Sequence, residues 1–185
     1  MVLQANEGLL SNFLKKRRFS VAIKYCKEFT LDYGCGDGSF SNYFLVQNYN
    51  GYDSDFESLE FAKQSYPKYT FIEKIDLNKK YDTIVLLAVI EHLNNPVEFL
   101  KEISNSLLQN KNSRIVLTTP NKYFDSIHHI GARLGLFSTH AAEEHNIMFN
   151  KRDLFDLARK TNLKVVTFKR FLFFVNQLIV LTKND

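Results

Sequence analysis

The 185-residue chain predicts an α/β fold, a mostly parallel sheet with helices on both faces and an antiparallel hairpin at its C-terminal end. Three observations lead there. A short apolar stretch, Phe29–Tyr33, runs into three alternate glycines and then into Ser39–Val46, which has the length and apolar content to open a helix. Asp82-Thr83-Ile84-Val85-Leu86-Leu87-Ala88 is a near-continuous apolar run of the kind that forms a parallel strand buried on both faces. Strand-like and helix-like segments then alternate as far as Leu163–Phe168 and Leu172–Leu181, two β-rich runs placed to pair with each other.

Length and composition bound the rest. Residues 1–185 make one domain by size, large enough to bury a sizeable core. Apolar residues are 45% and charged residues 24%, as in a soluble globular protein. Cys26 and Cys35 form neither a disulfide framework nor a zinc spacing, which points to the reducing cytoplasm. The longest apolar run, Ile84–Ile90, is too short to span a bilayer, and the start of the chain lacks a secretory pattern. Net charge is +4, and the only basic run is Lys15-Lys16-Arg17-Arg18. It reads as a solvated helix face, with contact to an anionic acceptor or a cofactor carboxylate as the alternative. Neither a nucleic-acid partner nor a membrane span is expected, and the sequence carries no sign of oligomeric state.

Taken in order, residues 7–28 read as one or two helices with Leu9, Leu10, Phe13 and Leu14 on an apolar face. The glycine bend Gly34-Cys35-Gly36-Asp37-Gly38 follows the first strand; such a bend aims free amides into a crevice and lets a ligand approach the main chain. Tyr49–Asp53 is a second strand ending in an acid, 19 residues past Gly34, about where doubly wound folds place a carboxylate for ribose hydroxyls. Asp55 is the better candidate to cap the helix Phe56–Ser65. Tyr69–Ile72 is the third strand and Asp82–Ala88 the fourth. A helix runs on to Leu108, and Arg114–Asn121 is the fifth strand. Residues 122–150 have poor periodicity and scattered aromatic and histidine residues, as in a lid or acceptor-binding segment. Lys151–Lys160 returns to a clear helix.

The bend is not the dinucleotide fingerprint G-x-G-x-x-G, because Ser39 stands where its third glycine belongs. Its pattern, Asp32-x-Gly34-x-Gly36-x-Gly38, resembles that of class I S-adenosylmethionine-dependent methyltransferases. Glu91-His92-Leu93-Asn94-Asn95-Pro96 and Thr119-Pro120-Asn121 are similar to the segments after strands four and five in the group that includes ubiquinone-biosynthesis O-methyltransferases and glycan- and lipid-modifying relatives. The blocks agree in order and distance across residues 30–121.

The resemblance implies a Rossmann-like seven-stranded sheet and S-adenosylmethionine as cofactor, with S-adenosylhomocysteine as product. It places Asp32, Gly34, Cys35, Gly36 and Gly38 around the aminoacyl end, Asp53 on the ribose, Asp76 and Leu77 at the adenine, and Ala88 after strand four. It implies an enzyme acting on a small molecule, with oxygen as the acceptor atom. A hydroxyl acceptor is helped by a general base; His145 and His92 are the first candidates, ahead of His128 and His129. No metal site is expected, because Ala88 occupies the position of a second glutamate that some relatives carry. Glu91 reads as a group that caps or orients nearby backbone. Nucleic-acid amino-methyltransferases need a polar-Pro-Pro-aromatic turn after strand four, and Val89-Ile90-Glu91-His92 is not one. The alternatives are a non-catalytic module that binds the same cofactor and, further off, a nicotinamide-dependent oxidoreductase.

Overall fold

The computed structural model describes residues 9–122 and 147–184. Seven strands form one sheet: β1 (Thr30–Tyr33), β2 (Tyr49–Tyr52), β3 (Thr70–Ile72), β4 (Thr83–Leu87), β5 (Arg114–Pro120), β6 (Leu163–Phe171) and β7 (Asn176–Lys183). Their order is β3-β2-β1-β4-β5-β7-β6. The first five in that order run parallel, while β7 is antiparallel to both β5 and β6. The expected seven-stranded Rossmann-like layout with its C-terminal hairpin is therefore observed. The chain moves outward from β1 to β3 and returns to place β4 against β1. That reversal opens a crevice at the carboxyl ends of β1 and β4, where ligands of such sheets bind.

The strand residues alternate between two cores. Leu31, Ile84, Leu86, Ile115 and Leu117 pack with Leu100, Ile103 and Leu107 of helix α3 (Pro96–Leu107) and with Leu154, Leu157 and Ala158 of helix α4 (Lys151–Lys160). On the other face Val85, Val116, Leu178 and Val180 pack with Phe19 and Ala22 of helix α1 (Leu9–Ala22) and with Phe40. A two-residue side-chain period with helices on both sides makes β4 and β5 apolar almost throughout. Helix α2 (Phe56–Ser65) starts at Asp55, whose carboxylate accepts the Ser58 amide, as the sequence predicts. Helix α4 starts in a capping box between Asn150 and Asp153.

Three expectations need correction. Ser39–Val46 does not open an α-helix: Ser39–Tyr43 is a 3-10 turn that Phe44 closes in extended conformation, and Val46–Asn48 is a second one. Ser, Asn, Tyr and Phe in succession are weak helix formers, and a nucleus this short has little to propagate it. In α1 the buried residues are Phe19 and Ala22, whereas Phe13 is 52% exposed; the side chains of Leu9 and Leu10 lie outside the described residues. Finally, Leu172 belongs to the turn between β6 and β7 and not to a strand; Leu172, Phe173 and Phe174 all have positive φ.

Candidate active site

The bend after β1 is pinned to the end of β2. The amides of Gly34 and Cys35 both donate to the Tyr52 carbonyl, at 2.7 and 2.9 Å. Gly34, Gly36 and Gly38 have φ of +80°, +51° and +75°, in the left-handed region that L side chains resist. Their surroundings differ. A Cβ on Gly34 would stand 2.5 Å from Val89 Cγ2, and one on Gly38 would stand 2.7 Å from both Ala62 and the Phe71 ring. A Cβ on Gly36 would meet nothing within 4 Å. Gly34 and Gly38 thus let neighbours pack, and Gly36 leaves open space above the main chain.

Asp53 borders that space. Its Oδ2 accepts the Gly36 amide at 2.7 Å and its Oδ1 accepts the Asp55 amide at 2.9 Å. Each oxygen of a carboxylate keeps a further lone pair, so Asp53 can still accept two hydroxyl hydrogens. The geometry leaves room for a pair of ligand hydroxyls at Asp53: an acid fixed by two amides beside a floor without a side chain.

Asp32 sits deeper, 2% exposed, and its Oδ2 accepts the Tyr49 hydroxyl at 2.8 Å. Burial pushes its carboxyl up to about 7 against the pull of that hydrogen bond, and Asp53 and Asp37 push the same way. Burial likewise raises the Cys35 thiol. Burial alone would raise Asp37 too, but Lys15 and Ser39 outweigh it and hold the carboxyl below the usual range. Lys15 reaches Asp37 at 2.8 Å, tying α1 to the glycine bend. Asp76 and Leu77 lie in an exposed turn beyond β3, where Asp76 accepts the Asn78 amide and Leu77 is 50% exposed.

Across the crevice, Ala88 ends β4 with a φ of +60° while its amide donates to Thr118 O at 2.9 Å. The 3-10 turn Ile90–His92 follows. It turns adjacent side chains in opposite directions: His92 is exposed, Glu91 is fully buried. Burial raises the Glu91 carboxyl, and the charges of Arg18 and His92 oppose it. Neither Glu91 oxygen completes a hydrogen bond among the described residues. Arg18, from α1, is lowered by burial and supported by Glu91, and its Nε donates to Asn176 Oδ1 at 3.4 Å. At this end of the sheet Thr118 Oγ1 and Asn176 Nδ2 on the α1 face, and Thr119 Oγ1 and Gln177 Oε1 on the other face, are buried without partners among the described residues.

The crevice thus brings together Asp32, the three glycines, Cys35, Asp53, Ala88 and His92 at one edge of the sheet. Asp76 and Leu77 stand beyond the β3 end of that edge. His145, His128 and His129 lie outside the described residues. Among the described residues no three His, Cys, Asp or Glu side chains gather where an ion could be held. Sequence reasoning did not find Tyr49, Val89, Thr119, Asn176 or Gln177. It reached Arg18 only as part of a basic run, because nothing local announces that residues 18, 91, 119 and 176 converge.

Fold and crevice define a Rossmann-like methyltransferase: the sheet order with its antiparallel hairpin, a glycine bend open at its middle residue, and an acid closing β2. The chain belongs to the methyltransferase-domain family, whose model matches residues 14–167. Methyltransferases of this kind use S-adenosylmethionine as methyl donor. The chain is 28% identical over 102 residues to the ubiquinone biosynthesis O-methyltransferase of Rickettsia conorii, covering 50% of this chain and 35% of that enzyme. It spans less than two-fifths of the length of the curated relatives it matches. Magnesium protoporphyrin IX methyltransferase from Synechocystis PCC 6803, solved with bound S-adenosylhomocysteine, superposes with a TM-score of 0.67 at 16% identity, over 94% of this chain and 85% of that one. The methyltransferase domain of bacterial CtHen1-C superposes at 0.68 with 18% identity, over 93% and 100%. At such identities these structures show the fold.

Proposed function

We propose that the chain methylates an oxygen of a small molecule with S-adenosylmethionine, and that it works in the cytoplasm. The observation that carries this is the open floor at Gly36 beside an Asp53 already oriented by two amides. When bound, the cofactor would supply an electrophilic sulfonium methyl with a neutral thioether as leaving group.

The chain's own contribution is mostly placement. Asp53 would hold the ribose hydroxyls, Asp32 the ammonium, and the Gly36 main chain would lie against the aminoacyl part; Leu77 and Asp76 would border the adenine. Holding two reactants aligned can supply roughly 7–11 kcal/mol of the barrier. The acceptor would enter past Ala88 and the turn at Ile90–His92. His92 is the exposed base on that side, and His145 is the other candidate for taking the hydroxyl proton.

Titration calorimetry with S-adenosylmethionine tests the reading, and absence of binding at high micromolar cofactor would overturn it. A chain that retains cofactor but releases no S-adenosylhomocysteine with any acceptor would instead be a binding module. His92→Asn is expected to lower kcat by about 10²–10⁴-fold if His92 is the base.

A further inference from the structure

A second concavity lies away from the crevice. Asn150, Lys151, Arg152, Phe155 and Arg170 line a cavity of about 360 Å³ between the start of α4 and the end of β6. Three of its five lining residues are cations, and none of the three forms an ion pair among the described residues. The acids of α4 are engaged elsewhere: Asp153 accepts the Asn150 amide and Asp156 pairs with Arg159. The cavity therefore concentrates one sign of charge on a chain whose net charge is only +4. A cleft lined by one sign focuses its field and gathers counter-ions.

The aromatic side chains give the cavity a direction. Lys151 Nζ stands 5.3 Å from the Phe155 ring centre and 5.4 Å from that of Phe168, and the Arg170 guanidinium stands 6.0 Å from Phe168. Phe155 is 39% exposed and meets Phe168 edge-on at 5.8 Å. Cations held over rings are oriented and partly stripped of water. A ligand here would find charge for an anion and a flat apolar surface beside it.

The cavity and the crevice both lie at the carboxyl end of the sheet, on strands separated by β7 and β5. Arg170 pairs with Gln177, and Gln177 with Thr119, so it belongs to the carboxyl-end row of β5. The Ile147 amide donates to the Glu91 carbonyl at 3.0 Å. Lys151 comes four residues later, a reach of at most about 14 Å of chain.

Resting on the methyltransferase reading, we propose that this cavity receives the phosphate of an aromatic small-molecule acceptor. Lys151, Arg152 and Arg170 take the phosphate dianion, with bidentate geometry available from the two guanidinium groups. Phe155 takes the apolar body. A single concavity with three cations suits one compact dianion better than the repeated charges of a polymer backbone, which call for a stripe.

The test is amide NMR of the full chain titrated with phenyl phosphate, with phenol and a single-stranded RNA oligonucleotide as parallel arms and S-adenosylmethionine binding followed by calorimetry. The expected result is saturable millimolar shifts centred on residues 150–155 and 170 with phenyl phosphate, and none with phenol. Arg170→Gln and Arg152→Gln, both exposed and outside the cofactor crevice, should each weaken that binding at least about tenfold while leaving cofactor affinity unchanged. Cofactor binding without any phenyl phosphate shift overturns this inference alone. Phosphate binding without cofactor binding overturns the methyltransferase reading and leaves an anion site. Tighter binding of the oligonucleotide than of phenyl phosphate overturns the small acceptor in favour of nucleic acid, and equal affinity in both variants removes the arginines from the site.

Discussion

The two sides of the crevice are built on opposite terms. On the β1–β2 side each acid beside the bend has a partner: Asp53 holds the Gly36 and Asp55 amides, Asp32 holds Tyr49, and Asp37 holds Lys15 and Ser39. On the β4–β5–β7 side the Glu91 carboxylate, the Thr118 and Thr119 hydroxyls and single atoms of Asn176 and Gln177 are buried without completed hydrogen bonds among the described residues. An unmet buried polar group costs roughly 1–3 kcal/mol. The β1–β2 side is thus satisfied from within, and the opposite side carries an unmet demand for hydrogen bonds. Under the proposed function, that contrast would let one scaffold keep its cofactor and change its substrate.

That contrast breaks most readily at Arg18. If the corner at Glu91 is held by charge, Arg18→Met should cost about 1–3 kcal/mol, the scale for leaving a buried polar group less well supported. Arg18→Met with Glu91→Met should recover most of it, because two apolar groups leave no charge stranded. Chemical denaturation of the four-member cycle measures this, and equal destabilisation by single and double variants would show that Arg18 acts only through packing.

The β1–β2 side can be sharpened with its own glycines. Gly38→Ala combines left-handed strain with overlap against Ala62 and Phe71, so a loss of roughly 2–5 kcal/mol in stability is expected. Gly36→Ala has only the strain, about 1–2 kcal/mol, yet should abolish cofactor binding because its methyl enters the open floor. Melting curves and calorimetry on both variants separate the two roles. Next in size, Asp53→Ala should weaken cofactor binding by roughly 1.5–3 kcal/mol, the scale for hydrogen bonds to a charged group; unchanged affinity would remove Asp53 from the ribose.

The same contrast explains what the sequence made legible. A Cβ at residue 34 or 38 would add a collision with Val89, or with Ala62 and Phe71, to a left-handed backbone, so the requirement for glycine is written as a local pattern. Asp53 follows β2 at the distance set by one crossover, and Asp55 announces its cap through the helix that follows it. Nearly the whole sheet and the glycine bend could therefore be traced, even though the segment after Gly38 winds as 3-10 turns and not as an α-helix. The β4–β5–β7 side has no such signature. Arg18, Glu91, Thr119, Asn176 and Gln177 are each ordinary where they stand, and only the return of β7 against β5 brings them together. Phe13 misled for a related reason: helical spacing shows that an apolar face exists, but not whether a neighbour covers it.

A pH test bears on Asp32, where the β1–β2 side is itself under tension. Its carboxyl is raised to about 7 by burial, so below that pH the folded protein holds a proton the unfolded chain releases near pH 4. Stability should therefore fall as pH rises from about 4 to 7 and then level off, the reverse of an acid stabilised by a salt bridge. A cationic ammonium beside Asp32 favours the carboxylate, so binding below pH 7 must expel that proton. Affinity for S-adenosylhomocysteine should then climb by at most about tenfold per pH unit up to neutrality and flatten above it. Calorimetry in buffers of different ionisation enthalpy would count the released proton directly. Asp32→Asn, which can still accept from Tyr49, should bind more weakly at pH 8 and lose the slope. A wild-type affinity that ignores pH would place the ammonium elsewhere and leave Asp32 as a partner of Tyr49 alone.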